Sequence, residues 1–150
     1  MKLLVCGSRE TCNDAIDFAR RCVDRAKVKG YEIIVGDATG IDTEVVVHAM
    51  THRLPLTIYG ITRTARCWSA IEQTVKLHKV DFPTYTRCEG DFLARDRVMA
   101  EACDICIGVH NGISRGTLYT VNYARHLGKE THLRTFTNEQ QSHEQTPPRA

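Results

Sequence analysis

The amino-acid sequence predicts an α/β three-layer domain, a mostly parallel sheet of about five strands with helices on both faces. Three observations carry that expectation. Short apolar runs alternate with longer segments whose apolar residues recur at helical spacing. The runs 3–6, 32–35 and 105–109 are almost continuously apolar, as strands covered on both faces are. Polar turns containing glycine follow these runs, at residues 7–9, 36–40 and 112–117. With 150 residues, 42% of them hydrophobic, the chain has enough material for one domain with a real core.

Residues 2–6 form the first strand, and Gly7-Ser8-Arg9 ends it. Thr11 or Asn13 is placed to cap the helix that follows, in which Ile16, Ala19, Val23 and Ala26 share a face and Gly30 is the stop. Residues 32–35 are a second strand, ended by Gly36-Asp37-Ala38-Thr39-Gly40. In residues 41–52, Val45-Val46-Val47 favours a strand, because β-branched side chains lose rotamer freedom in a helix. Ile41, Val45, Ala49 and His52 nevertheless line up at helical spacing, so this segment is read as a helix. Residues 56–59 form a third strand, and 67–78 a helix carrying the single tryptophan, Trp68. Residues 82–88, broken by Pro83, fit either a short strand or an extended loop. Asp91 caps a helix reaching Cys103, with Leu93, Arg97 and Ala100 close to one face. The strand 105–109 stops at His110-Asn111-Gly112. A helix then opens at Ser114-Arg115-Gly116-Thr117, carries Leu118, Val121 and Ala124 on one side, and ends at Gly128. Residues 131–136 are the last strand. The domain is therefore placed at 1–136, and 137–150, which lacks apolar periodicity, is read as a disordered polar tail.

A net charge of +2 supplies no overall field to attract nucleic acid, so a nucleic-acid partner is not expected. The apolar start is too short for a signal peptide or a membrane span, which points to a cytoplasmic protein without a membrane partner. Seven cysteines are an odd number, and Cys6, Cys22 and Cys106 fall on predicted strands and helices as small apolar residues. Cys103-x-x-Cys106 has metal or redox spacing but no second pair to match. His48 and His52 stand four apart on a helix, with no carboxylate or third ligand at a matching spacing. Neither a metal nor a cofactor is expected.

The segment 104–127 is the one most suggestive of chemistry. Strand, glycine-rich turn and helix follow one another, and the free N–H groups of a helix's first turn favour an anion. Ser114 and Thr117 add hydroxyls, Arg115 adds a fixed charge, and Asn111 and Gly112 shape the turn. A phosphate cradle and an ordinary strand-to-helix turn with a serine cap both fit this stretch. If strand 2–6 lies beside strand 105–109, however, the turns 7–9 and 112–117 face one crevice where the strand order reverses, the usual ligand position in such sheets.

Four polar clusters now stand in order: Gly7-Ser8-Arg9, Gly36-Asp37-Ala38-Thr39-Gly40-Ile41-Asp42, Arg95-Asp96-x-x-Met99 and Ser114-Arg115-Gly116-Thr117. Over residues 1 to about 135 this order resembles the SLOG superfamily. That Rossmann-like group includes the DNA-processing Smf/DprA domain and the LOG cytokinin-activating phosphoribohydrolases. The nearest likeness is to its small stand-alone members related to YspA and YpsA. The resemblance implies a nucleotide or nucleotide-derived ligand, with Gly7 and Ser8 passing beneath it and Gly116 and Thr117 holding phosphate. Arg9, Gly36, Thr39 and Gly40 belong to the same matched turns, and Asp37 and Asp42 either accept ribose hydroxyls or cap the helix. It also implies a homodimer. Arg95 matches the arginine that, with a glutamate, cleaves an N-glycosidic bond in the phosphoribohydrolases. Here Thr120 stands at the glutamate position, and residues 111–115 lack that family's paired glycines. A threonine hydroxyl brings no negative charge to an oxocarbenium-like transition state. Arg95 and Asp96 remain the catalytic candidates, Asp96 being either a displaced carboxylate or a salt-bridge partner that steadies Arg95. Trp68 is either a core residue or a platform for a base, and Arg63 and Arg66 either extend a basic rim or face solvent.

The function expected is therefore binding, sensing or sequestering of such a ligand. Hydrolysis or transfer at the N-glycosidic bond of a nucleoside monophosphate is the alternative. Single-stranded DNA binding is a weaker one.

Overall fold

A computed structural model describes residues 1–137. The expected tail at 137–150 therefore lies outside the described residues, apart from Thr137. Six parallel strands form one sheet in the order β4-β3-β2-β1-β5-β6, with ranges β1 Lys2–Gly7, β2 Glu32–Val35, β3 Leu56–Gly60, β4 Thr84–Arg87, β5 Ile105–His110 and β6 Glu130–Thr135. Between them run α1 Asn13–Lys29, α2 Ile41–Thr51, α3 Trp68–His78, α4 Phe92–Ala102 and α5 Arg115–His126. The arrangement is three-layered and Rossmann-like. The segment 82–88 resolves as a strand whose pairing begins only after Pro83. It sits on the sheet's edge, where a residue without an N–H is tolerated.

Alternation along the central strands divides the core in two. Leu3, Val5, Ile33 and Val35 pack with Ala19, Val23, Val45, Val46, Ala49 and Ile71 of α1, α2 and α3. Leu4, Cys6 and Ile34 face the other way, against Met99, Ala100, Val121 and Ala124 of α4 and α5. Successive side chains in a strand point to opposite faces, so a doubly covered strand must be apolar throughout. The chain builds outward from β1 to β4, then crosses back to place β5 on β1's other side. Strand order reverses between β1 and β5.

Two local expectations differ from the structure. The N-cap of helix α1 is Cys12, whose side chain makes no capping hydrogen bond, and neither Thr11 nor Asn13 is the cap. In α4 the inward face is Arg95, Asp96, Met99 and Ala100, while Leu93 is exposed. Apolar periodicity misplaced that face because half of it is charged. Asp91 does cap α4, accepting from the Ala94 N–H at 2.9 Å. Gly30 and Gly128 both adopt the left-handed conformation just past a helix, as expected of stops.

Candidate functional site

Pairing between β1 and β5 runs from Leu3 opposite Ile105 to Gly7 opposite Val109, which brings the turns after these strands together. The Ser8 N–H donates to the Val109 carbonyl at 3.1 Å. The buried Ser8 hydroxyl accepts from the Asn111 N–H at 3.0 Å, and the Asn111 amide donates to the Glu10 carbonyl at 3.1 Å. A third turn joins them, since the Ile41 N–H donates to the Ser8 carbonyl at 3.2 Å. Gly40 has φ +83°, and a Cβ there would overlap the carbonyl oxygens of Ser8 and Arg9. The absent side chain of Gly7 makes room for Ile41, whose Cβ lies 2.5 Å from where a Gly7 Cβ would be. Gly7 and Gly40 thus let three chain segments meet at the crevice. Arg9 and Thr39 are exposed at its mouth.

The elbow after β5 is braced from inside. The Gly112 N–H points at His110 Nδ1 (3.3 Å), so that nitrogen accepts and the opposite one donates to the Ser114 carbonyl at 2.9 Å. His110 is buried, and nothing in the linear sequence marked it except its place at a strand end. Asn111 Oδ1 accepts from the N–H groups of both Ile113 and Ser114 at 2.9 Å. Ser114 caps α5 through a long 3.5 Å contact from the Thr117 N–H. Arg115 and Gly116 then occupy the first helical turn, where N–H groups have no intrahelical acceptor. A Cβ on Gly116 would meet nothing within 4 Å, and Arg115 is exposed beside it. This edge of the crevice is open and cationic.

The neighbouring corner is closed on itself. Asp37, fully buried, receives the Arg66 N–H at 2.9 Å, the Arg66 side chain at 2.9 and 3.0 Å, and Arg95 at 3.1 Å. Arg95 reaches Asp96 through two further contacts, at 2.7 and 3.1 Å. Phe92 packs beneath both guanidiniums, 4.0 Å from Arg66 and 5.2 Å from Arg95. Arg66, read from sequence as either a rim or a solvated residue, is exposed yet pairs with buried Asp37, a partner twenty-nine positions away and beyond the reach of any local pattern. Asp96 is the salt-bridge partner of Arg95. Asp42 accepts from the Ala38 N–H at 3.1 Å, so it ties down the turn before α2.

Burial controls the charges here. It pushes Asp42 up from 3.8 to about 7, against the pull of Arg95 and the Ala38 hydrogen bond. Burial also raises Asp96 from its ordinary value, with Arg95 opposing it. For Arg95, burial disfavours the charge, but Asp96, Asp42 and Asp37 more than offset that, and the arginine stays ionised. Thr120, at the position a glutamate holds in the phosphoribohydrolases, is buried and donates to the Gly116 carbonyl at 2.9 Å. Chemically, the open elbow can receive an anion, whereas the charged groups of the closed corner already satisfy one another.

Other sequence candidates lie elsewhere or have other partners. Trp68 stacks on Phe82, ring centroids 5.3 Å apart. Arg63 is exposed. Cys103 and Cys106 are fully buried, and burial pushes the Cys103 thiol up to about 11. A cavity of about 530 Å³ lies by the amino ends of β3 and β4, lined by Leu56, Phe82 and Thr84 among others, at the opposite end of the sheet from the crevice.

The sequence matches the family model described as DNA recombination-mediator protein A over residues 1–146. The chain belongs to that family. Among solved structures it is similar to DNA processing protein A from Streptococcus pneumoniae, with a TM-score of 0.68 and 19% identity, over 88% of this chain and 49% of that one. It is also similar to DNA processing protein A from Helicobacter pylori, a structure reporting a single-stranded DNA binding mode (TM-score 0.64, 17% identity, 89% of this chain and 64% of that one). A third is the molybdenum cofactor binding protein from Rippkaea orientalis, at TM-score 0.64 and 16% identity over 97% of this chain and 81% of that one. A search of curated protein sequences gave no match. The chain thus spans less than two thirds of either DNA processing protein. These neighbours share the fold and include binders of both small ligands and DNA, so the expectation against nucleic acid finds no support in them. That expectation rested on net charge, a sum over the whole surface that is blind to where Arg9 and Arg115 sit. No helix among the described residues is long and apolar enough to cross a membrane.

Proposed function

We propose that this chain binds a nucleotide or nucleotide-derived ligand in the crevice between β1 and β5, with phosphate at the first turn of α5. The observation that carries the reading is the joined corner. Ser8 and Asn111 tie the two turns into one wall, and beside it lies the first turn of α5, whose N–H groups lack an intrahelical acceptor and where a Cβ on Gly116 would meet no atom within 4 Å. The neighbouring molybdenum cofactor binding protein supports a small-molecule occupant for this fold. Binding without cleavage fits the chemistry, because Thr120 offers no carboxylate and Arg95 is engaged by Asp37 and Asp96.

A thermal-shift panel of nucleoside mono- and diphosphates, ADP-ribose and a single-stranded oligonucleotide tests this. A nucleotide at a hundred times its Kd adds about 2.7 kcal/mol, which raises the melting temperature by about 5–10 °C. Gly116→Asp places a carboxylate where phosphate would sit and should abolish that rise while the unliganded protein melts as before. Free base released from a nucleoside monophosphate would overturn the binding-only reading. A second reading, single-stranded DNA, draws on the family and on the Helicobacter pylori neighbour. It would replace the first if only the oligonucleotide stabilised the protein and the effect fell steeply with salt.

A further inference from the structure

We propose that Asp24, His48 and His52 form a binding site for a divalent transition metal, zinc(II) in the first place, on the outer surface where α1 meets α2. Sequence spacing supplies the two histidines four apart on α2 but no carboxylate. Packing brings that carboxylate from α1. The ligand atoms of the three residues all lie within 4.8 Å of one another. Asp24 Oδ1 is 2.7 Å from His48 Nε2, and the two imidazole rings are 4.2 Å apart, tilted by 43°.

The chemistry of the group suits a borderline metal. His52 Nδ1 lies 2.9 Å from the His48 carbonyl, which can only accept, so that nitrogen carries the proton and Nε2 keeps its lone pair. A metal-bound histidine is commonly held by such an outer hydrogen bond to a backbone carbonyl. In the short Asp24–His48 contact the carboxylate can only accept from an imidazole N–H, and a cation would take the place of that proton. Zinc takes imidazole nitrogen at about 2.0–2.1 Å and carboxylate oxygen at about 2.0–2.2 Å, so its ligand atoms sit about 3.3 Å apart, within small side-chain rotations of those found. His48 lies in the last turn of α2 and His52 is its C-cap, where helix carbonyls favour positive charge. The nearby Arg20 is matched by Glu44 at 2.7 Å on the same two helices. Side-chain exposures of 18% for His48 and 53% for Asp24 leave room for water to complete a tetrahedron. The site stands apart from the crevice, at the other ends of the helices.

Titration of the intact protein with zinc(II) alone, in a non-chelating buffer, should give one equivalent bound. His48→Ala, His52→Ala and Asp24→Asn should each weaken it by about tenfold or more, while melting in chelator stays unchanged. Retention of wild-type affinity in His52→Ala and Asp24→Asn would overturn the site. Cobalt(II) provides a check on the unmodified chain, whose seven cysteines are free. A tetrahedral spectrum without a thiolate charge-transfer band is expected. A strong thiolate band, or no cobalt bound at all, would refute the assignment.

Discussion

Two polar corners flank the carboxyl ends of the strands, and they treat their hydrogen-bonding groups in opposite ways. At the elbow of residues 110–117, His110 and Asn111 hold the turn, and the first helical turn of α5 that follows has N–H groups without an intrahelical acceptor. Around Arg95, every charged group meets another: Asp37 holds two arginines, and Arg95 holds two aspartates. Sequence reasoning offered residues of both corners as ligand contacts, while leaving open a capping role for Asp37 and Asp42 and a salt bridge between Asp96 and Arg95. The difference teaches that polar residues clustered near strand ends form either a receptor or a self-satisfied brace, and only their partners distinguish the two.

The largest expected effect tests the brace. Arg95→Ala leaves Asp37 and Asp96 buried without their shared cation, and breaking a buried pair from one side costs about 3–5 kcal/mol. Urea denaturation should register a drop of that size. If stability were instead unchanged and only ligand affinity fell, the corner would be a receptor after all. Next comes a pair of glycines. Gly7→Ala forces a Cβ against Ile41 and should cost about 1–3 kcal/mol, whereas Gly116→Ala meets no neighbour and should leave the unfolding midpoint nearly unmoved. Equal losses at the two positions would erase the contrast between packed and open turns.

A third effect appears in pH dependence. Asp42 titrates at about 7 in the folded chain against 3.8 for the free side chain, so the native state binds the extra proton between those values. Its contribution is fully present below 3.8 and is lost as pH rises through about 7. Asp42→Asn keeps an acceptor for the Ala38 N–H but carries no charge. Its stability relative to the wild type should therefore climb across that window. A constant difference would mean that Asp42 is ionised throughout, and the brace would then hold a full third negative charge.

Much of this architecture was legible before any coordinates, because apolar periodicity records burial directly. The alternation of runs gave the order of elements, and uninterrupted runs such as Ile105–Ile107 marked strands covered on both sides. Even the valine-rich segment was readable as a helix, since Val45 and Ala49 share a face with Ile41. The inward side of α4 was not readable, because Arg95 and Asp96 look like solvent-facing residues to any hydrophobicity pattern. Arg66 with Asp37, and Asp24 with His48, were likewise hidden. Each pair joins separate elements, and only packing brings them together. The meeting of the two crevice turns was legible conditionally, resting on β1 lying beside β5.

That adjacency also shapes how the chain acquires its structure. β1 is made first, yet one of its long edges is sealed only when Leu3 finds Ile105. Until then a growing polypeptide carries an apolar strand with unpaired backbone groups along one side, an invitation to wrong partners. Contacts so distant along the chain slow the search for the native state. A ribosome-stalled fragment ending before β5 should thus be bound by chaperones, and release of the next strand should free it.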